Sequence, residues 1–127
     1  MTRQMLRAKV HRITVTERNV EYEGSLTLDA LLMHACGMVP FEKIEIYDVD
    51  NGARFSTYVI EGEKGSGVCC VNGAAAHLVE VGHKLIVASY CAVEDSEVGR
   101  HVPRVVLVDS ANRIARVKDH EGAGIRV

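Results

Sequence analysis

Along Met5 to Thr16 the apolar residues Leu6, Ala8 and Val10 interleave with the basic residues Arg7 and Lys9. Period-two alternation puts successive side chains on opposite faces and predicts a strand. Short runs rich in Val, Ile, Tyr and Thr recur between turn residues at Ile44 to Val49, Arg54 to Ile60, Gly67 to Val71, Lys84 to Ser89 and Arg104 to Val108. That spacing predicts a mainly β chain, a small barrel or sandwich. Between two of these runs Asp50-Asn51-Gly52 supplies the positive-φ residues of a tight hairpin, so Ile44 to Val49 and Arg54 to Ile60 are expected to pair. One helix interrupts the strands. Thr27 or Asp29 caps it, Leu28, Leu31, Leu32 and Ala35 follow helical spacing, and Gly37 ends it. A helical turn is predicted at Ala74 to His77, a loop or short helix at Glu94 to Gly99, and a mobile tail at Glu121-Gly122-Ala123-Gly124.

At 127 residues the chain suits a single domain large enough to bury a core. Fifteen Lys and Arg against seventeen Asp and Glu leave a formal net charge of −2, which favours neither a nucleic-acid partner nor a polybasic membrane anchor. Arg3, Arg7, Lys9 and Arg12 are followed by no apolar run of signal-peptide length, and no stretch approaches the roughly 20 apolar residues that span a bilayer. A soluble, cytoplasmic protein is expected. The four cysteines, Cys36, Cys69, Cys70 and Cys91, lack C-x-x-C spacing and read as buried free thiols. The six histidines are scattered without a metal-binding pattern, so no metal site is expected.

Chemistry enters at four segments: Lys9-Val10-His11, Tyr22-Glu23-Gly24-Ser25, Arg54-Phe55-Ser56-Thr57-Tyr58 and Asn72-Gly73-Ala74-Ala75-Ala76-His77. Taken singly each has an ordinary reading. Gly24-Ser25 is a turn, Thr57 a strand residue, Tyr58 a packing residue, and Lys9 and Arg54 solvated strand positions. Taken together, in this order and at this spacing, they resemble the aspartate 1-decarboxylases, pyruvoyl-dependent enzymes that make β-alanine for pantothenate synthesis. The resemblance covers nearly the whole chain and fades after about Asp109.

The resemblance implies a six-stranded double-psi β-barrel with short helices, assembled as a homotetramer whose sites lie between adjacent subunits. It implies one domain over residues 1–127, self-cleaved into 1–24 and 25–127. Ser25 Oγ would attack the Gly24 carbonyl to form an ester, β-elimination would release the chain ending at Gly24, and the dehydroalanine left at position 25 would hydrolyse to a pyruvoyl group and ammonia. Decarboxylation of an amino acid leaves a carbanion at Cα, and a pyruvoyl carbonyl is an electron sink that forms an imine with the substrate amine. Thr57 would donate to the oxyanion during cleavage, Asn72 would position the loop, and His11 and Tyr22 would support it. Tyr58 would return the proton to Cα of L-aspartate. Arg54 and Lys9 would meet its two carboxylates, Thr57 would also belong to the substrate site, and the small Gly73, Ala74 and Ala75 would admit substrate close to the backbone.

Glycine at position 24 is expected for the backbone geometries it admits and for its unobstructed carbonyl. On a regular strand Thr57 and Tyr58 face opposite sides, so a bulge, a strand end or a neighbouring subunit must reconcile their roles. Leu26 and Thr27 follow the cleavage serine and Tyr47 stands where some relatives have a tryptophan, positions assigned no chemistry, and Ser110 to Val127 is too divergent to carry a role. Maturation unaided and maturation with an accessory protein both agree with these residues. Two alternatives stand beside this reading: a non-catalytic β-barrel with an intact chain, and a pyruvoyl decarboxylase of another amino acid such as glutamate.

Overall fold

The computed structural model describes residues 1–119; the glycine-rich segment from Glu121 to Gly124 lies outside them. Among the described residues the strands are β1 (Thr2–Thr14), β2 (Glu17–Asn19), β3 (Ser25–Asp29), β4 (Lys43–Asp48), β5 (Arg54–Gly62), β6 (Cys69–Asn72), β7 (Lys84–Glu94), β8 (Arg104–Val108) and β9 (Ile114–Lys118). They form one sheet in the order β2-β6-β3-β5-β4-β7-β1-β8-β9. The architecture is mainly β, as the alternation predicts.

The sheet curls back on itself. Beyond the end of β1, Thr16 N donates to Cys69 O at 2.9 Å and Thr16 Oγ1 accepts from Cys69 N at 2.9 Å, joining β1 to β6 from the far side of the sheet. Asn112 adds a clamp, donating from Nδ2 to Thr14 O (2.9 Å) and Gly67 O (2.8 Å) while accepting from Thr14 N. The curl encloses the core, built from Ala8, Val10, Ile13, Leu26, Leu28, Ile44, Ile46, Val59, Val71, Leu85 and Val87.

The hairpin between β4 and β5 forms as expected, with Gly52 at φ 77°. Asp48 secures it by accepting from Asp50 N and Asn51 N, and His83 Nδ1 lies 2.7 Å from Asp48 Oδ2. The ligand atoms of Asp48, Asp50 and His83 lie within 4.8 Å of one another, a grouping that the scattered histidines did not suggest. Its hydrogen bonds tie the hairpin to β7, since Asp50 Oδ2 also accepts from Lys84 N.

The helix is α1 (Ala30–Cys36), capped by Asp29 at one end and by Gly37 at φ 70° at the other. Leu28, assigned by spacing to the helix, belongs instead to β3. A short apolar run reads equally well with either period, and here the ladders to β5 and β6 decide it. Asp29 is the better cap because its carboxylate serves three backbone donors, Leu31 N, Gly65 N and Gly67 N, each at 2.9 Å. Burial alone would raise this carboxyl; those N–H groups and Arg113 outweigh it and hold the acid below its usual range. The cysteines are free, with Cys36, Cys69 and Cys70 buried and Cys91 half-buried. No helix among the described residues is long and apolar enough to cross a membrane.

Candidate active site

Gly24-Ser25 lies where an exposed loop becomes a buried strand. Gly24 is exposed, whereas Ser25 opens β3 and is only 2% accessible. β3 runs between two partners, antiparallel to β6 with Ser25 opposite Asn72, and parallel to β5 with Leu26 opposite Val59. Extending the parallel register back by one residue sets Ser25 alongside Tyr58.

Alternation then sorts the candidate residues by face. Leu26, Leu28, Val59, Val71, Ala8 and Val10 point into the core. Ser25, Tyr58, Arg54, Asn72, Lys9 and His11 therefore lie on the outer face of the same curled sheet. Thr57 stands on the inner side of β5, opposite the buried Ile44. The register between β4 and β5 runs without interruption from Tyr47–Arg54 to Lys43–Tyr58, so no bulge brings Thr57 round to the face of Tyr58.

On this face Asn72, 3% accessible, donates from Nδ2 to Ser25 Oγ (3.0 Å) and to Thr27 Oγ1 (3.0 Å). Ser25 Oγ is itself 3.4 Å from Glu23 O. Asn72 Oδ1 accepts from the Cys70 thiol at 3.2 Å. Gly73 follows at φ 74°, and a Cβ placed on it would stand 2.6 Å from Gly24 Cα, 2.7 Å from Gly24 N and 3.2 Å from Tyr22 O. The Asn72-Gly73 and Tyr22-Glu23-Gly24-Ser25 segments are thus packed backbone against backbone. The expected helical turn is a 3-10 turn over Gly73–Leu78, in which Ala74 is exposed, Ala75 packs on the core and Ala76 is buried.

Gly24 stands in open space. Its φ is not in the left-handed region, and a Cβ on it would meet nothing within 4 Å. At Gly73 both the positive φ and the contact exclude a side chain.

The cations do not converge within one chain. Arg54 lies with its guanidinium 3.9 Å over the ring of Tyr47, and Tyr47 Oη is 2.8 Å from Tyr90 Oη. Burial, together with the bond from Tyr47, pushes the Tyr90 hydroxyl up to about 12. Tyr47, assigned no chemistry from the sequence, is therefore the platform that orients Arg54; only its cross-strand pairing with Arg54 reveals this. Lys9 sits in a row with Ala88, Glu45 and Ser56, three strands away from β5. At about 4.8 Å per strand, that is about 14 Å across the sheet. Tyr58 makes a tilted ring contact with Phe41, 6.2 Å between centroids, while Tyr22 is exposed at the loop before the Gly-Ser pair.

The profile of the aspartate decarboxylase family matches residues 1–115. An aspartate 1-decarboxylase of Caldicellulosiruptor bescii is 51% identical over 118 residues, covering 93% of this chain and 92% of its own. One from Clostridium botulinum (strain Langeland) is 48% identical over 124 residues, 98% of each chain, and one from Syntrophobacter fumaroxidans is 52% identical over 113 residues, 89% of this chain and 91% of its own. The geometry at Gly24-Ser25 and these similarities agree: the chain belongs to the aspartate decarboxylase family.

Proposed function

We propose that this protein decarboxylates L-aspartate to β-alanine and CO2 with a pyruvoyl group that it makes from its own Ser25. The observation that carries this reading is the setting of Ser25, a buried hydroxyl held by the Asn72 amide at a glycine-serine junction pressed against Gly73. A serine hydroxyl attacks a peptide only when its position is held and the developing charge is met. Asn72 holds Oγ. Thr57, on the other side of the sheet, is assigned the donor to the Gly24 oxyanion, so that nucleophile and donor approach the scissile peptide from opposite faces. His11 and Tyr22 are assigned to the surroundings of the loop.

The residues fit the group. Gly73, with Ala74 and Ala75 after it, offers backbone without bulk beside position 25, and the neighbouring Tyr58 supplies a hydroxyl on the same face. A pyruvoyl group at position 25 would supply an electrophilic carbonyl for the substrate amine and an electron sink for the loss of CO2. Tyr58 holds the proton destined for Cα. Arg54, steadied on Tyr47, offers a planar fork to one carboxylate, and Lys9 a compact charge to the other.

The distance between Lys9 and β5 supports the assembled form. Along one sheet the two cations are too far apart to clasp a four-carbon diacid, so we assign the complete site to adjacent subunits of a homotetramer. Within each subunit β6, β3, β5, β4, β7 and β1, closed by the Thr16–Cys69 bonds, would be the six strands of the double-psi barrel.

Denaturing intact mass spectrometry, with Ser25→Ala as control, tests this reading. A fragment 1–24 and a pyruvoyl-blocked chain starting at position 25 are expected, followed by aspartate turnover well above glutamate turnover. A wild-type chain that stays whole after prolonged warming, alone and with cell extract that could supply a maturation protein, would overturn it.

A further inference from the structure

We propose that Cys70 is a positioning residue for self-cleavage, whose thiol determines which end of the Asn72 carboxamide faces Ser25; this rests on the self-processing read above. The argument begins with alternation on β6. Cys69 and Val71 point into the core, so Cys70 and Asn72 share the outer face, opposite Thr27 and Ser25 of β3. These four side chains form a closed patch in which one carboxamide has three polar neighbours.

A carboxamide has one accepting end and one donating end. The Ser25 hydroxyl, donating to Glu23 O at 3.4 Å, favours Nδ2 only through a long contact, and the Thr27 hydroxyl, which can donate or accept, does not select the orientation of Asn72. The Cys70 proton, 3.2 Å away at sulfur, does: it is directed at Oδ1 and leaves Nδ2 for the two hydroxyls. Burial, with Glu17 nearby, pushes the thiol above its ordinary value, so the sulfur keeps its proton at neutral pH.

The orientation matters for the chemistry. In the acyl shift the Ser25 Oγ–Gly24 carbon bond forms, the Gly24–Ser25 carbon–nitrogen bond breaks, and the hydroxyl proton ends on the released nitrogen. Negative charge gathers on Oγ as its proton leaves, and an N–H aimed at Oγ stabilises it. A reversed amide would present a carbonyl oxygen to the same atom, accept the hydroxyl proton in a hydrogen bond, and oppose its transfer. Cys70 therefore acts on the nucleophile through Asn72 without touching the scissile bond.

The test sets donor against volume. Wild type, Cys70→Ser, Cys70→Ala and Cys70→Val are expressed cold, and the fraction cleaved is followed by denaturing intact mass spectrometry on warming, with Tm measured in parallel. Serine keeps the donor and is expected to cleave within about twofold of wild type, whereas alanine and valine cleave about 5–10-fold more slowly, with rates that do not follow Tm. A packing role predicts the reverse, with valine near wild type and serine slow; that order, or equal rates throughout, overturns the inference while leaving self-cleavage intact. A wild-type chain that never cleaves overturns the parent reading and this one together.

Discussion

Gly73 and Gly24 meet so closely that a methyl group on Gly73 would lie 2.6 Å from the Gly24 α-carbon, far inside any real contact. The contact couples the loop after β6 to the junction before β3, and no other residue type can occupy position 73 without moving one of them. We expect Gly73→Ala to slow self-cleavage by more than about tenfold and to cost about 1–2 kcal/mol from the positive φ alone. Gly24→Ala, whose new methyl enters open space, is expected to fold and to cleave within a few-fold of wild type. Intact-mass time courses on both variants decide the matter, and wild-type cleavage in Gly73→Ala would show the contact to be idle.

Tyr58 and Ser25 share a face on neighbouring strands, which suits Tyr58 to protonate Cα rather than to cut the chain. Tyr58→Phe should mature normally and lose about 100-fold or more in kcat, the usual scale for a missing general acid. Normal turnover in a matured Tyr58→Phe enzyme would reassign the proton donor.

Arg54 and its platform make a graded pair of expectations. Arg54→Ala should leave self-cleavage intact and weaken aspartate binding by about 10–100-fold, the loss of a charge-assisted bidentate contact. Tyr47→Leu removes only the ring beneath the guanidinium, and a loss of about 2–5-fold is expected. Calorimetric titration of the matured variants with aspartate reads both; a Tyr47→Leu protein that binds as poorly as Arg54→Ala would mean that the ring contacts substrate itself.

Asp29 sets an acid limit on stability. Its folded pKa lies below the unfolded value of about 3.9, so its stabilisation is fully present above about pH 4 and is lost as pH falls through the depressed folded value. At pH 7 Asp29→Ala should cost about 2–4 kcal/mol, because the α1 cap and the Gly65 and Gly67 donors all lose their acceptor. Denaturant midpoints from pH 7 to pH 2 should show the gap between wild type and variant narrowing below pH 4. A gap that stays constant would show that the charge of Asp29 is immaterial.

The fragment 1–24 should remain bound after cleavage. It contains β1, laddered to both β7 and β8, and Val10, Ile13 and Val15 are each fully buried, worth about 1.5–3 kcal/mol apiece. Native mass spectrometry should find both fragments in one assembly; recovery of 25–127 alone in a folded, active form would contradict this.

Much of this follows from the chain's local sequence. Runs rich in Val, Ile, Tyr and Thr between turn residues mark most of the strands, alternation marks the first, the Asp50-Asn51-Gly52 turn marks one hairpin, and Gly37 ends the helix, because each of these depends on neighbours in the chain and on backbone sterics. The four motifs at their spacing were enough to name the family resemblance. Sequence also placed Thr57 and Tyr58 on opposite faces, as the uninterrupted β4–β5 register bears out.

Other features are contacts between distant segments, and no local pattern encodes them. Leu28 fits the helical spacing of Leu31, Leu32 and Ala35 because a short apolar run declares no period, and only ladders to β5 and β6 place it in the strand. Asn112, in a stretch assigned no role, clamps Thr14 to Gly67 across the curl. Tyr47 under Arg54, and Cys70 against Asn72, emerge from the pairing of strands and faces rather than from motif spacing. The steric demand for glycine at position 73 has the same origin: a residue's own backbone preference is local, but the space available to its side chain is determined by whichever segment the fold packs against it.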